Sequence, residues 1–212
     1  MRLIKLALAL ISGPLLASCM TVQSGAKPSS STYQFASFEI DVPGGGNWGI
    51  AEVDYSNEKI VFSTASYAFM ASRVTTMTSL AVTKVVAPPN LVMRSEEEVF
   101  NIFCEGGEKA FAKGAASQGV ELKSVRKGTA DVNGQKLRTV SFEGVVGNWF
   151  VGGQGGETHV WVWFPPDYES TQAFYVFTLS AQTEKGIYQE SANLKLLMSF
   201  FAGFRYHGGT GS

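Results

Sequence analysis

Histidine, cysteine and long apolar runs are what this sequence has least of. Two histidines and two cysteines occur in 212 residues. No His-Glu-x-x-His, Cys-x-x-Cys, Gly-x-Ser-x-Gly or P-loop pattern is present, which removes the local signatures of a zinc site, a dithiol redox centre, a nucleophile elbow and a phosphate-cradling loop. Charge is sparse and balanced, with 17 basic against 18 acidic residues and a formal net charge of −1. That excludes a strong steering field for a polyanion, and no basic–aromatic interleaving marks a nucleic-acid surface. The longest apolar stretch, Leu3 to Leu16, is broken by Ser12, Gly13 and Pro14. It is shorter than the roughly 20 apolar residues that a membrane-crossing helix needs.

That short stretch has a different use. Arg2 and Lys5 form a positive start, the apolar run follows, and small residues close it, which is the pattern of a secretory signal. It ends at Leu16-Ala17-Ser18-Cys19, which resembles the lipobox of bacterial lipoproteins. The resemblance implies a diacylglycerol thioether on Cys19, cleavage before it and acylation, as with palmitate, of the new amino terminus. The plainer alternative is an ordinary cleaved signal with a chance cysteine nearby. Several acyl chains at about 0.8 kcal/mol per buried methylene would make release negligible. Met20 rather than Asp at the next position implies, by the same resemblance, an outer membrane facing the periplasm in a Gram-negative organism. The expected division is therefore residues 1–18 as signal peptide, 19–33 as lipidated Cys19 and flexible tether, 34–206 as a single domain, and 207–212 as a disordered tail. Removing 1–18 takes away Arg2 and Lys5 and leaves 15 basic against 18 acidic residues, a net −3. With Cys19 modified, Cys104 has no partner for a disulfide, so a core must hold the domain together. At 45% apolar and 12% aromatic residues that core is affordable in material.

Alternating and β-branched runs predict strands at 35–41, 48–55, 58–64, 75–87, 120–132, 135–147, 157–164 and 173–181. Asn133-Gly134 between two such runs is the strongest short hairpin signal. The runs 157–164 and 173–181 are apolar on both faces and belong in the middle of a sheet. Ser95 with Glu98 is a capping box, opening a helix whose apolar stripe is Phe100, Phe103, Cys104, Gly107, Ala110 and Phe111. A last helix is expected from about Glu184 to Phe201, burying Ile187, Leu194, Leu197, Met198 and Phe201, with Gly203 as its stop. Strands, helix, strands, helix, with short connections, predict an α+β fold: a mostly antiparallel, curved sheet of about six to eight strands packed by two helices.

Three features together resemble the PsbP-like family across residues 35–205. They are an early strand ending in Val-Pro before a Trp ("FEIDVPGGGNW"), a strand-to-helix step with "SEEEVF", and a late apolar strand followed by a terminal helix ("FYVFTLSA", "LKLLMSFF"). The resemblance implies a PsbP-like sandwich acting as a non-enzymatic binding or assembly module. The strand-rich stretch between Trp48 and Ser95 and the glycine-rich 147–156 depart from that pattern.

Gly44-Gly45-Gly46-Asn47-Trp48-Gly49 satisfies Gly-x-Gly-x-x-Gly, but "IAEVDYS" after it reads as strand, so the helix that would hold a pyrophosphate is missing and no cofactor is implied. Trp48, Trp149 and His159 form the candidate binding surface. Two exposed indoles on glycine-rich loops would make a stacking site; the plainer reading is that each packs over the core edge. His159 shares a strand face with Trp161 and Trp163, and one histidine is not a metal-ligand set. Cys104 on an apolar stripe reads as inert packing. No catalytic residue and no metal ligand is assigned. The function expected is a membrane-anchored, extracytoplasmic, non-catalytic binding or envelope-assembly role, with the membrane and an envelope protein as partners. Two alternatives stand beside it: an envelope hydrolase built on His159 with carboxylates such as Glu157 or Asp167, and an accessory subunit of a larger envelope complex.

Overall fold

A computed structural model describes residues 25–44, 47–68, 73–87, 94–117, 120–146, 154–184 and 190–208. Ten strands and three helices run through them. They are β1 (Thr32–Gln34), β2 (Phe38–Asp41), β3 (Gly49–Asp54), β4 (Lys59–Ala68), β5 (Arg73–Val86), α1 (Glu96–Ser117), β6 (Val120–Val132), β7 (Gln135–Val146), β8 (Gln154–Trp163), α2 (Tyr168–Thr171), β9 (Ala173–Glu184), α3 (Glu190–Ala202) and β10 (Phe204–Tyr206).

Seven strands form one sheet in the order β3-β4-β5-β9-β8-β7-β6, and every pairing is antiparallel. The fold is the expected α+β class. β8 and β9, apolar on both faces, lie inside the sheet because each face is covered. On one face Trp161, Trp163, Phe177 and Leu179 pack against Leu197, Phe200 and Phe201 of α3 and against Phe38 and Ile40 of β2. On the other, Val160, Val162, Phe174 and Val176 meet Val99, Phe100 and Cys104 of α1 and Tyr168 of α2. The β6–β7 turn has Asn133 at φ 55 and Gly134 at φ 77, the left-handed pair that a two-residue hairpin requires. The capping box forms as expected: the Ser95 N–H and hydroxyl donate to Glu98 at 3.1 Å, and the Glu98 N–H donates back at 3.3 Å.

Four expectations are corrected. The early strand does not join the main sheet: β2 pairs with β1 and β10 in a separate three-stranded sheet. Its partner β10, Phe-Arg-Tyr, is too short to register as a periodic pattern, yet Arg205 donates to both Asp41 oxygens at 2.6 and 2.7 Å and also to Glu39. The last helix begins at Glu190, because β9 continues to Glu184; Ile187 lies outside the described residues. Met198 is 43% exposed while Phe200 is buried. The buried arc centres on Leu197, Phe200 and Phe201, and at about 100° per residue Met198 falls to its side. The expected tail also begins later, since the His207 N–H donates to the Ser37 carbonyl at 3.0 Å.

The expected tether is shorter still. Ala26 and Ile50 exchange backbone bonds at 3.0 and 2.8 Å, so the chain is laid against β3 from Gly25 onward. Glycines make this approach possible: a Cβ on Gly49 would stand 2.6 Å from the Gly25 carbonyl oxygen, and one on Gly25 would stand 2.3 Å from that of Ile50. Gly49→Ala is therefore expected to detach this segment. Amide exchange at Ala26 and Ile50 should quicken by roughly 10-fold while the β8–β9 amides stay protected; unchanged exchange at Ala26 would show that the glycine is not required.

Candidate functional site

The α3-covered face of the sheet carries a cluster of polar side chains in the corner formed by β6, β7 and β8. Strand register explains why. Across β7 and β8, Glu143 stands opposite Glu157 and Ser141 opposite His159. Across β6 and β7, Ser124 stands opposite Glu143 and Arg126 opposite Ser141. Directly opposed residues point to the same side, so these side chains tile two adjacent rows. One row further along β8 the face becomes Trp161, then Trp163, and the β9 positions opposite them are Phe177 and Tyr175.

The corner is internally bonded. The Ser141 hydroxyl lies 2.8 Å from His159 Nδ1. His159 Nε2 lies 3.2 Å from Glu157 Oε2, and Asn193 of α3 donates through Nδ2 to Glu157 Oε1. Ser124 donates to Glu143 at 3.2 Å. Burial would raise the Glu157 carboxyl, but the neighbouring His159 imidazole and the Asn193 amide, with the Arg126 charge, outweigh it and hold the group below its ordinary value. Glu157 is thus a carboxylate. It favours a proton on Nε2, which leaves the Nδ1 lone pair to accept from the Ser141 hydroxyl. The Nε2 approach is poorly aligned: at 1% exposure this nitrogen has no hydrogen bond of good geometry. An under-satisfied buried polar atom costs on the order of 1–3 kcal/mol, which packing alone does not explain.

Of the residues singled out from sequence, Trp48 is only 7% exposed and sits in the α3-side core, so it offers no surface ring. Trp149 and Cys19 lie outside the described residues. His159 is buried rather than surface-facing, in the interior strand β8 between β7 and β9. Glu157 joins it, whereas Asp167 does not: its carboxylate accepts from the Tyr206 hydroxyl at 2.7 Å, at the far end of β8. β3, a strand, follows the glycine-rich 44–49, where a dinucleotide loop requires a helix. Burial pushes the Cys104 thiol up to about 11, so it is not a nucleophile near neutral pH. Among the described residues no group of three or more His, Cys, Asp or Glu is placed to hold a metal ion. Ser124, Arg126, Ser141, Glu143 and Asn193 carried no signal in the sequence; only Glu157-Thr158-His159, alternate positions of one strand, placed two of the polar groups on one face.

An antiparallel sheet with helices on both faces and a polar corner under one of them defines an α+β sandwich. No protein-family model and no curated protein matches the chain. Among solved structures it is similar to cyanobacterial PsbP (CyanoP) from Synechocystis, at 15% identity over 88% of this chain and 99% of that one, with a TM-score of 0.45. It is also similar to LpqN of Mycobacterium tuberculosis, described as involved in cell envelope biogenesis, at 11% identity over 85% and 87%, with a TM-score of 0.43.

Proposed function

We propose that this chain is a membrane-anchored extracytoplasmic lipoprotein with a binding or assembly role at the cell envelope. The observation that carries the reading is Leu16-Ala17-Ser18-Cys19 behind a basic start and a short apolar run. The attachment at Gly25 adds a distance limit. Six residue steps separate Cys19 from Gly25, and at about 3.5 Å each they span no more than roughly 20 Å. An acylated Cys19 would hold the β3 edge close to the bilayer. The polar corner on β6–β8 lies four to six strands away, on the order of 20–30 Å at about 4.8 Å per strand, which suits a site turned from the membrane. No helix among the described residues is long and apolar enough to cross a membrane.

Palmitate labelling and intact-mass analysis of the wild type against Cys19→Ala test the anchor. The wild type should carry acyl mass on Cys19 and partition with membranes, and the variant should do neither. An unlipidated, fully soluble wild type would sink the proposal. For the accessory-subunit version, crosslinking in membranes should recover a fixed partner, and a clean monomer counts against it. The hydrolase alternative is favoured by one observation only, the Ser141–His159–Glu157 chain of contacts.

A further inference from the structure

We propose that Ser141 is a base-activated nucleophile for carboxylic esters, with His159 as its general base and Glu157, held by Asn193, as the positioning carboxylate. This goes beyond a binding role and rests on the polar corner, not on the lipid anchor.

The geometry supplies the parts in order. Asn193 fixes Glu157 from α3. Glu157 sets the imidazole tautomer from 3.2 Å, and the free Nδ1 lone pair meets the Ser141 hydroxyl at 2.8 Å, within reach for proton transfer. Burial is graded in the direction this chemistry needs. His159 is sealed, whereas Ser141 is half-buried and Arg126 exposed. A substrate therefore meets Ser141 first, from the β6 side, where Gly128 carries no side chain and is exposed. Arg126 stands opposite Ser141 in register, and its charge acts on the Glu157 carboxylate of the same cluster. Nε2, which lacks a well-aligned acceptor in the resting state, gains one if Glu157 tightens as the imidazole becomes charged.

The reaction balances without a co-reactant other than water. Ser141 Oγ attacks the ester carbonyl carbon, and its proton passes to His159 Nδ1. The bond from the carbonyl carbon to the alkoxy oxygen then breaks, and the departing alcohol takes the proton from Nδ1. Water attacks the acyl-serine, one proton again passing to Nδ1 and then to Oγ, and the carboxylic acid leaves.

A fluorophosphonate probe incubated with the full chain, followed by peptide mass mapping, tests the assignment. One label on Ser141 is expected, absent in Ser141→Ala and slowed by about 100-fold or more in His159→Gln. No label on Ser141 in the folded wild type, or labelling indifferent to His159→Gln, overturns it. Should His159→Gln fail to fold, Ser141→Cys serves instead: a thiol paired with an imidazole ionises early, so iodoacetamide should alkylate it at pH 6 at least about 10-fold faster than it alkylates free cysteine. Alkylation no faster than that of free cysteine overturns the proposal. Cys19→Ala leaves both readouts unchanged, so failure of the anchor and failure of this site are distinguishable.

Discussion

Phe177→Ala is expected to lower stability by about 4 kcal/mol and the midpoint of thermal unfolding by roughly 12 °C, at 2–4 °C per kcal/mol for a domain of this size. Phe177 lies in β9 with no solvent exposure, and its ring stands 4.9 Å from Phe201, 5.0 Å from Phe204 and 6.3 Å from Phe200. It joins the main sheet, the last helix and the small sheet, so truncation opens a cavity that none of these layers can close alone. A total stability of about 5–15 kcal/mol makes this a large fraction. Met198→Ala, on the same α3 but 43% exposed, should stay within about 0.5 kcal/mol. Thermal melts followed by far-ultraviolet circular dichroism decide both. A fall of under about 3 °C for Phe177→Ala would show that the three layers are not joined through this ring.

The second large effect is acid-dependent. Glu58 is buried at the turn into β4, with φ 46, a left-handed conformation that costs a non-glycine residue about 1–2 kcal/mol. One carboxylate oxygen accepts from the Ser37 N–H at 2.7 Å and from its hydroxyl at 2.5 Å, and the other accepts from Lys84 at 2.5 Å. The Tyr175 hydroxyl donates onward to Ser37 at 2.7 Å. This chain ties the small sheet to β5 and β9. Burial alone would raise the Glu58 carboxyl, but Lys84 and Ser37 outweigh it, and the group is held below its ordinary value of 4.5.

A carboxyl depressed in the folded state adds stability that is complete above its unfolded value and is lost as pH falls through its folded value. Glu58→Gln should therefore cost about 3 kcal/mol near pH 7, because it leaves the Lys84 charge with a weaker partner. The gap between wild type and variant should shrink steadily below about pH 4.5. Urea unfolding from pH 7 down to pH 3 measures it. A gap that stays constant over that range would mean that the ionised carboxylate contributes nothing here.

Much of the layout was legible because local rules suffice for it. β6 and β7 flank Asn133-Gly134, and a two-residue turn sets their register at Val132 opposite Gln135. Simple counting then puts Arg126 opposite Ser141. Ser95 and Glu98 announced α1, and the two-faced apolar runs announced that β8 and β9 are interior. The errors came where distant segments decide: β10 is three residues long, and α3 could be rotated about its axis without offending its own periodicity.

The sequence by itself determined the order along the chain of the seven main-sheet strands with α1 and α3, the β6–β7 register and the placing of Glu157 and His159 on one face, and it carries the basic start and short apolar run ahead of Cys19. Each of these rests on neighbours in the chain: a charge beside an apolar run, a turn of defined length, the two-residue period of a strand. The tertiary structure alone decided that Ser141 meets His159. That contact depends on the β7–β8 register, which no tight turn sets, and a shift of one residue would send Ser141 to the opposite face. It also decided that Asn193 closes over Glu157, because the rotation of α3 is chosen by Leu197, Phe200 and Phe201 packing on the sheet. And it drew the chain from Gly25 onto β3, since the open backbone edge of that strand satisfies the polar groups of a segment whose composition reads as linker.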